Sequence, residues 1–170
     1  KGIAIAKSSK KSKKIVIVKP QNNFWSREDV FDYLINLSSK KNILVGIDFA
    51  FSYPYLDINN FFPNYDFDLP RRARDLWAFI DSFNKGENDF YGGKIWTDKI
   101  FGEYYNSPIK RGKLFSSRRR LTEQFAKNIR SPSSTFNCVG PAGVGTGTLA
   151  GMRFLNKIKK TLKNKSHIWP

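Results

Sequence analysis

The spacing of apolar and polar positions predicts a short list of elements. Residues 1–6 (KGIAIA) and 14–20 (KIVIVKP) are two short β-rich runs, and the Lys/Ser stretch between them reads as a basic hairpin loop. Residues 26–41 (SREDVFDYLINLSSKK) carry the clearest helical pattern. Val30, Phe31, Leu34, Ile35 and Leu37 form its apolar stripe. Ser26 suits the N-cap, Glu28 and Asp29 the positive end of the helix dipole, and Lys40 and Lys41 the other end. The run NILVGIDFA at 42–50 predicts a buried strand bounded by Tyr53 and Pro54. Strands alternating with a helix indicate an α/β layer fold.

The pattern then changes. Residues 55–70 are aromatic, acidic and punctuated by proline, which predicts a long loop. Residues 71–85 predict a helix with Leu76, Trp77, Phe79, Ile80 and Phe83 inward, ended by Gly86. Residues 92–108 hold a further short helix. The stretch 55–115, extended to about 55–130 if the following basic segment is included, reads as an insertion covering one edge of the sheet. A basic helix is predicted at 116–130, a short strand at 134–139, a glycine loop at 140–151 and a closing helix from 148 to 163. In that last helix Met152, Phe154, Leu155, Ile158 and Leu162 share a face, with Lys157, Lys159, Lys160 and Lys163 over much of the rest. No internal repeat is present.

Length and composition narrow this further. At 170 residues, 40% of them hydrophobic, the chain is long enough for one domain with a core of its own. No apolar run approaches the ~18 residues of a membrane span, so no membrane partner is expected. The first residues are basic and apolar but contain no usable signal-peptide core. The single cysteine, Cys138, excludes an internal disulfide and a cysteine-based zinc cluster, and a reducing, cytoplasmic setting is the default expectation. The chain begins on Lys1 already inside a strand pattern and ends on SHIWP, so it reads as a fragment cut at both ends; a processed or trimmed protein is the alternative.

Charge changes the picture most. The net charge is +16, and it is unevenly placed. Residues 21–105 are net −4, whereas residues 106–170 hold 14 basic residues against Glu123 alone, a net of +13. Such an excess favours polyanion partners, nucleic acid or an anionic membrane surface, and nucleic acid is the expectation here. A solvated lysine-rich surface, in keeping with the many Asn, Lys and Ile residues of an AT-rich genome, accounts for the same numbers.

Three stretches carry candidate chemistry. The glycine loop contains a loose G-x-G-x-x-A at Gly145, Gly147 and Ala150, but residues 151–170 hold no acid to grip a ribose. The phosphate-loop pattern fails as well, because Thr146-Gly147 stands where Lys-Ser/Thr is required. Backbone N–H groups around Gly143, Gly145, Thr146, Gly147 and Thr148 could still take a phosphate; a tight turn for close helix packing is the other reading. Asp48 lies near the end of an apolar strand, where an ionised carboxylate is costly unless compensated. It is a candidate metal ligand and catalytic residue, or a structural cap of the following turn. Arg118, Arg119 and Arg120 are candidate phosphate contacts. Glu123 is a further candidate catalytic carboxylate, or simply a partner for Arg119 or Arg120 at helical spacing. His167 and the four tryptophans, Trp25, Trp77, Trp96 and Trp169, are weaker candidates, with at least two of the tryptophans expected in the core.

The segments FWSREDVFDYL, LVGIDFAFSYP, RRRLTEQ, STFNCVGPAGVGTGTLAGMRFL and HIWP, in that order from Phe24 to Pro170, resemble a bacterial family of RNase H-like (RuvC-like) nucleases of unknown function. The glycine segment and GIDFAFSYP are the most specific of these. The resemblance implies an RNase H-like mixed sheet flanked by helices, with acidic ligands for Mg²⁺ or Mn²⁺ on neighbouring strands and phosphodiester hydrolysis as the reaction. Asp48 matches the carboxylate of the fourth strand. The first-strand Asp and the final strand and helix of the family have no counterpart here, so the chain reads as an incomplete domain, not itself active. Non-catalytic nucleic-acid binding and phosphate binding by the glycine loop are the alternatives.

Overall fold

A computed structural model of the chain describes residues 2–9, 11–12, 14–65, 69–129 and 131–169. Parts of five expectations lie outside these residues: Lys1 of the first strand run, Lys10 and Lys13 of the hairpin loop, residues 66–68 of the long loop, Arg130 at the end of the basic helix, and Pro170 of the HIWP segment. The chain forms two units, Lys1–Val45 and Gly46–Pro170.

In the first unit, β1 (Ile5–Lys7) and β2 (Val16–Val18) pair antiparallel, with Ile5 opposite Val18 and Lys7 opposite Val16. Helix α1 (Arg27–Lys40) follows. Ser26 caps it as the sequence predicts: its hydroxyl accepts from the Asp29 N–H at 3.0 Å, and the Asp29 carboxylate accepts from the Ser26 N–H at 3.0 Å. This reciprocal box holds the Asp29 carboxyl below its usual range, through the Ser26 side chain first and its backbone second. Trp25 joins the hairpin to the helix. Its indole donates to the Val18 carbonyl at 3.3 Å, and its ring lies 5.6 Å from that of Tyr33. The apolar stripe of α1 is only half-buried, and Ile15, Val16 and Ile17 are exposed.

The second unit is built around aromatic residues. Helices α2 (Ala73–Phe83) and α4 (Gly145–Leu162) pack together, and α3 (Leu121–Ala126) lies between them in sequence. Two 3₁₀ turns, Gly93–Thr97 and Phe101–Tyr104, stand where one short helix was expected. Phe62 is fully buried, with edge-on or tilted contacts to Tyr53, Phe79, Phe101, Tyr104 and Phe136 at 5.1–6.1 Å. The Tyr53 and Tyr105 hydroxyls meet at 2.8 Å inside this cluster, and burial pushes both phenols well above the usual range. The stretch read as an insertion, 55–115, thus supplies much of the core of this unit.

The α/β class stands, with helices and one antiparallel sheet. Among the described residues that sheet has two strands. Four expectations are corrected. Residues 42–50 form no strand: Leu44 and Val45 are exposed, whereas Phe49 and Phe51 pack against the core of the second unit. An apolar run becomes a strand only when another strand pairs with it, and none does so here among the described residues. Residues 134–139 shrink to one isolated bridge, Asn137 to Asn106. The basic helix covers only Leu121–Ala126. Its apolar positions Leu121, Phe125 and Ile129 are exposed, so tertiary packing does not extend it. Finally, α4 is buried all round from Thr148 to Asn156 rather than along one face. Glycines let neighbouring segments close on it: a methyl at Gly92 would stand 2.5 Å from the Leu149 side chain. Beyond Asn156 the helix reverts to the lysine-rich surface that the sequence predicts.

Candidate nucleic-acid interface

An open cleft of about 330 Å³ lies on the second unit, lined by Phe49, Phe51, Ser52, Arg120, Thr122 and Trp169. Its aromatic floor is fixed from below. Phe49 covers Gly151 of α4 so closely that a methyl there would stand 2.3 Å from the ring. The Phe51 ring is 5.1 Å from that of Phe49, and the Phe51 carbonyl accepts from the buried Trp77 indole at 2.6 Å. Trp169 stands 90% exposed to solvent. Arg120 supplies the charge. Its Nε and Nη2 donate to Glu123 Oε1 at 3.0 and 2.6 Å, while Glu123 Oε2 accepts from the Arg120 N–H at 2.8 Å. This pairing at helical spacing orients the guanidinium and leaves Nη1 without a partner among the described residues.

The other two arginines of the triplet are committed to structure. Arg118, largely buried, donates to both oxygens of Asp57 at 2.7 and 2.8 Å. It also donates to the carbonyls of Pro54, Asn60 and Phe61 at 2.7–2.9 Å, pinning the 54–61 loop. The hydrogen bonds from Arg118 hold the Asp57 carboxyl below its usual range. Arg119 donates to the Pro132 carbonyl at 2.8 Å and to Ser117 and Ser131 at 3.3 Å. Of the three, only Arg120 lines the cleft.

Asp48 is exposed and makes no hydrogen bond or ion pair with another described residue. Water solvates its carboxylate, so the cost of burial that singled it out does not arise. It directly precedes Phe49 in the cleft wall. Glu123 has both oxygens engaged by Arg120, which makes it a positioning residue for that arginine. Among the described residues, no group of three or more His, Cys, Asp and Glu side chains is placed to hold a metal ion.

The glycine segment serves packing. A methyl at Gly143 would stand 2.6 Å from the Val139 carbonyl oxygen, and one at Gly145 would stand 2.5 Å from the Cys138 sulfur and 2.6 Å from the Thr135 carbonyl oxygen. The helix starts at Gly145, three residues ahead of the expected start at Thr148. The Gly145 N–H donates to the Asn137 carbonyl at 2.8 Å, the Thr148 N–H and hydroxyl to Val144 at 3.0 and 2.9 Å, and the Thr146 hydroxyl to Cys138 at 3.2 Å. A methyl at Gly147 would meet nothing. Cys138 is buried here, and its thiol is pushed up to about 12 by that burial. Trp77 and Trp96 are core residues, and His167 is exposed.

The cleft itself was not legible in the sequence. Trp169 and Arg120 were candidates, but Phe49, Phe51, Ser52 and Thr122 had no signal beyond apolar or polar type. No family model matches the chain, and no curated protein or solved structure matches it either.

Proposed function

We infer that this protein binds nucleic acid through the cleft walled by Phe49, Phe51, Arg120 and Trp169. The observation that carries the reading is Arg120: an oriented guanidinium, its Nη1 without a partner among the described residues, in an aromatic-lined cleft on a segment whose net charge is +13. The remaining Nη1 of Arg120 can donate to a phosphate, aromatic rings supply stacking surfaces, and the surrounding cations release counterions on binding. The test is a fluorescence-anisotropy titration of labelled oligonucleotides over a salt series. Affinity is expected to fall linearly on a log–log plot, and Arg120→Gln is expected to weaken binding. Salt-independent binding, or none, rejects the reading.

A second reading is a metal-dependent nuclease of RNase H-like fold, as the sequence resemblance implies. The observation favouring it is Asp48, an exposed carboxylate with no partner among the described residues, next to a cleft wall. Asp48 would contribute one carboxylate to Mg²⁺ or Mn²⁺, and the described residues do not complete a two-ion centre around it. Metal-dependent cleavage of single-stranded, duplex, hybrid or branched substrates, lost in Asp48→Asn, would establish this reading. Binding without cleavage, retained in Asp48→Asn, would leave Asp48 outside the chemistry.

A further inference from the structure

Resting on the nucleic-acid reading above, we propose that the cleft selects single strands, by taking one unstacked base against its aromatic walls while Arg120 holds an adjoining phosphate. Two features of the cleft and one of nucleic acid lead to this. The cleft's volume, about 330 Å³, is at the small end of the ~300–1,000 Å³ range of ligand pockets, room for one flat group. Three of its six lining residues are aromatic, and a ring stacks on the face of a base. In a duplex those faces are covered by neighbouring base pairs, and only edges and phosphates are presented; in a single strand they are open.

The arrangement of the walls follows the same logic. Phe49 and Phe51 are anchored, one over Gly151 and the other through the bond from Trp77 to its carbonyl, and form a preformed floor. Trp169, 90% exposed, presents its ring for stacking. Arg120 is held in the cleft lining by its two bonds to Glu123. Thr122 and Ser52 are the polar side chains available to a base edge, with no demand for one sequence over another.

The experiment compares a short mixed-sequence single strand with the duplex made from it, at one salt concentration, for wild type, Trp169→Ala and Trp169→Phe. Wild type is expected to bind the single strand roughly tenfold tighter than the duplex, the scale of one stacked base. Trp169→Ala is expected to abolish that preference without changing the salt slope, and Trp169→Phe to restore part of it. Single-strand binding should quench tryptophan fluorescence in wild type and less in Trp169→Ala. Equal binding of both forms, or a preference that survives Trp169→Ala, overturns the proposal while leaving nucleic-acid binding intact. Failure of wild type to bind either form overturns the nucleic-acid reading itself.

Discussion

At Gly151 a methyl would stand 2.3 Å from the Phe49 ring, whereas at Gly147 a methyl would meet nothing. The two glycines of one helix therefore respond in opposite ways to alanine. Gly151→Ala is expected to cost about 1–3 kcal/mol in urea unfolding, because the ring must move. It should also weaken oligonucleotide binding, since that ring is a cleft wall. Gly147→Ala is expected to stabilise by about 0.5–1 kcal/mol through helix propensity. Cys138 is a third residue with a definite behaviour. With its thiol pushed up to about 12 and its side chain buried, it should not react with a thiol reagent at pH 8 until the protein is unfolded. At this scale the sequence was read unevenly. Glu123 as an arginine partner was legible from i,i+3 spacing. The exposure of Asp48 was not, because an apolar run of nine residues looks the same whether or not a strand pairs with it.

Helix α1 was legible almost to the residue, since its start is written locally in Ser26 and Asp29 and its stripe has helical period. Ser26→Ala is expected to cost about 1 kcal/mol by removing the cap. The elements that failed to appear, at 42–50 and 134–139, depend on partners distant in sequence, which periodicity does not encode. The α2–α4 contact is likewise non-local. Asp81 of α2 meets Arg153, Asn156 and Lys160 of α4 at 3.0, 2.8 and 3.3 Å. Burial acts to raise the Asp81 carboxyl, and the hydrogen bonds from these three outweigh it, so its pKa lies below the usual range. Asp57 is lowered by Arg118. A depressed folded pKa contributes stability that is complete above the unfolded value, about 3.9, and lost as pH falls through the folded value. Thermal unfolding is therefore expected to be insensitive to these two groups between pH 5 and 8, and to fall steeply below about pH 4. Arg118→Met should flatten part of that acid slope and lower stability at neutral pH by about 2–4 kcal/mol.

Over the whole molecule, the net charge of +16 suits a polyanionic partner, and the place proposed for it lies on the second unit. Lysines on the exposed turns of α4 and elsewhere supply a diffuse attraction, whereas Arg120 alone among the arginine triplet combines charge with a shaped cleft. Composition made the charge legible; the cleft depended on bringing residues 49–52, 120–122 and 169 together, which no local pattern announced. The most direct measurement compares two charge removals, Arg120→Gln and Lys157→Gln, in oligonucleotide titrations over a salt series. Binding through the cleft predicts that Arg120→Gln lowers the salt slope by about one and weakens binding by at least roughly tenfold, while Lys157→Gln, on an exposed turn of α4, changes affinity little. Equal, small effects of the two substitutions would contradict the cleft and leave only a diffuse basic surface.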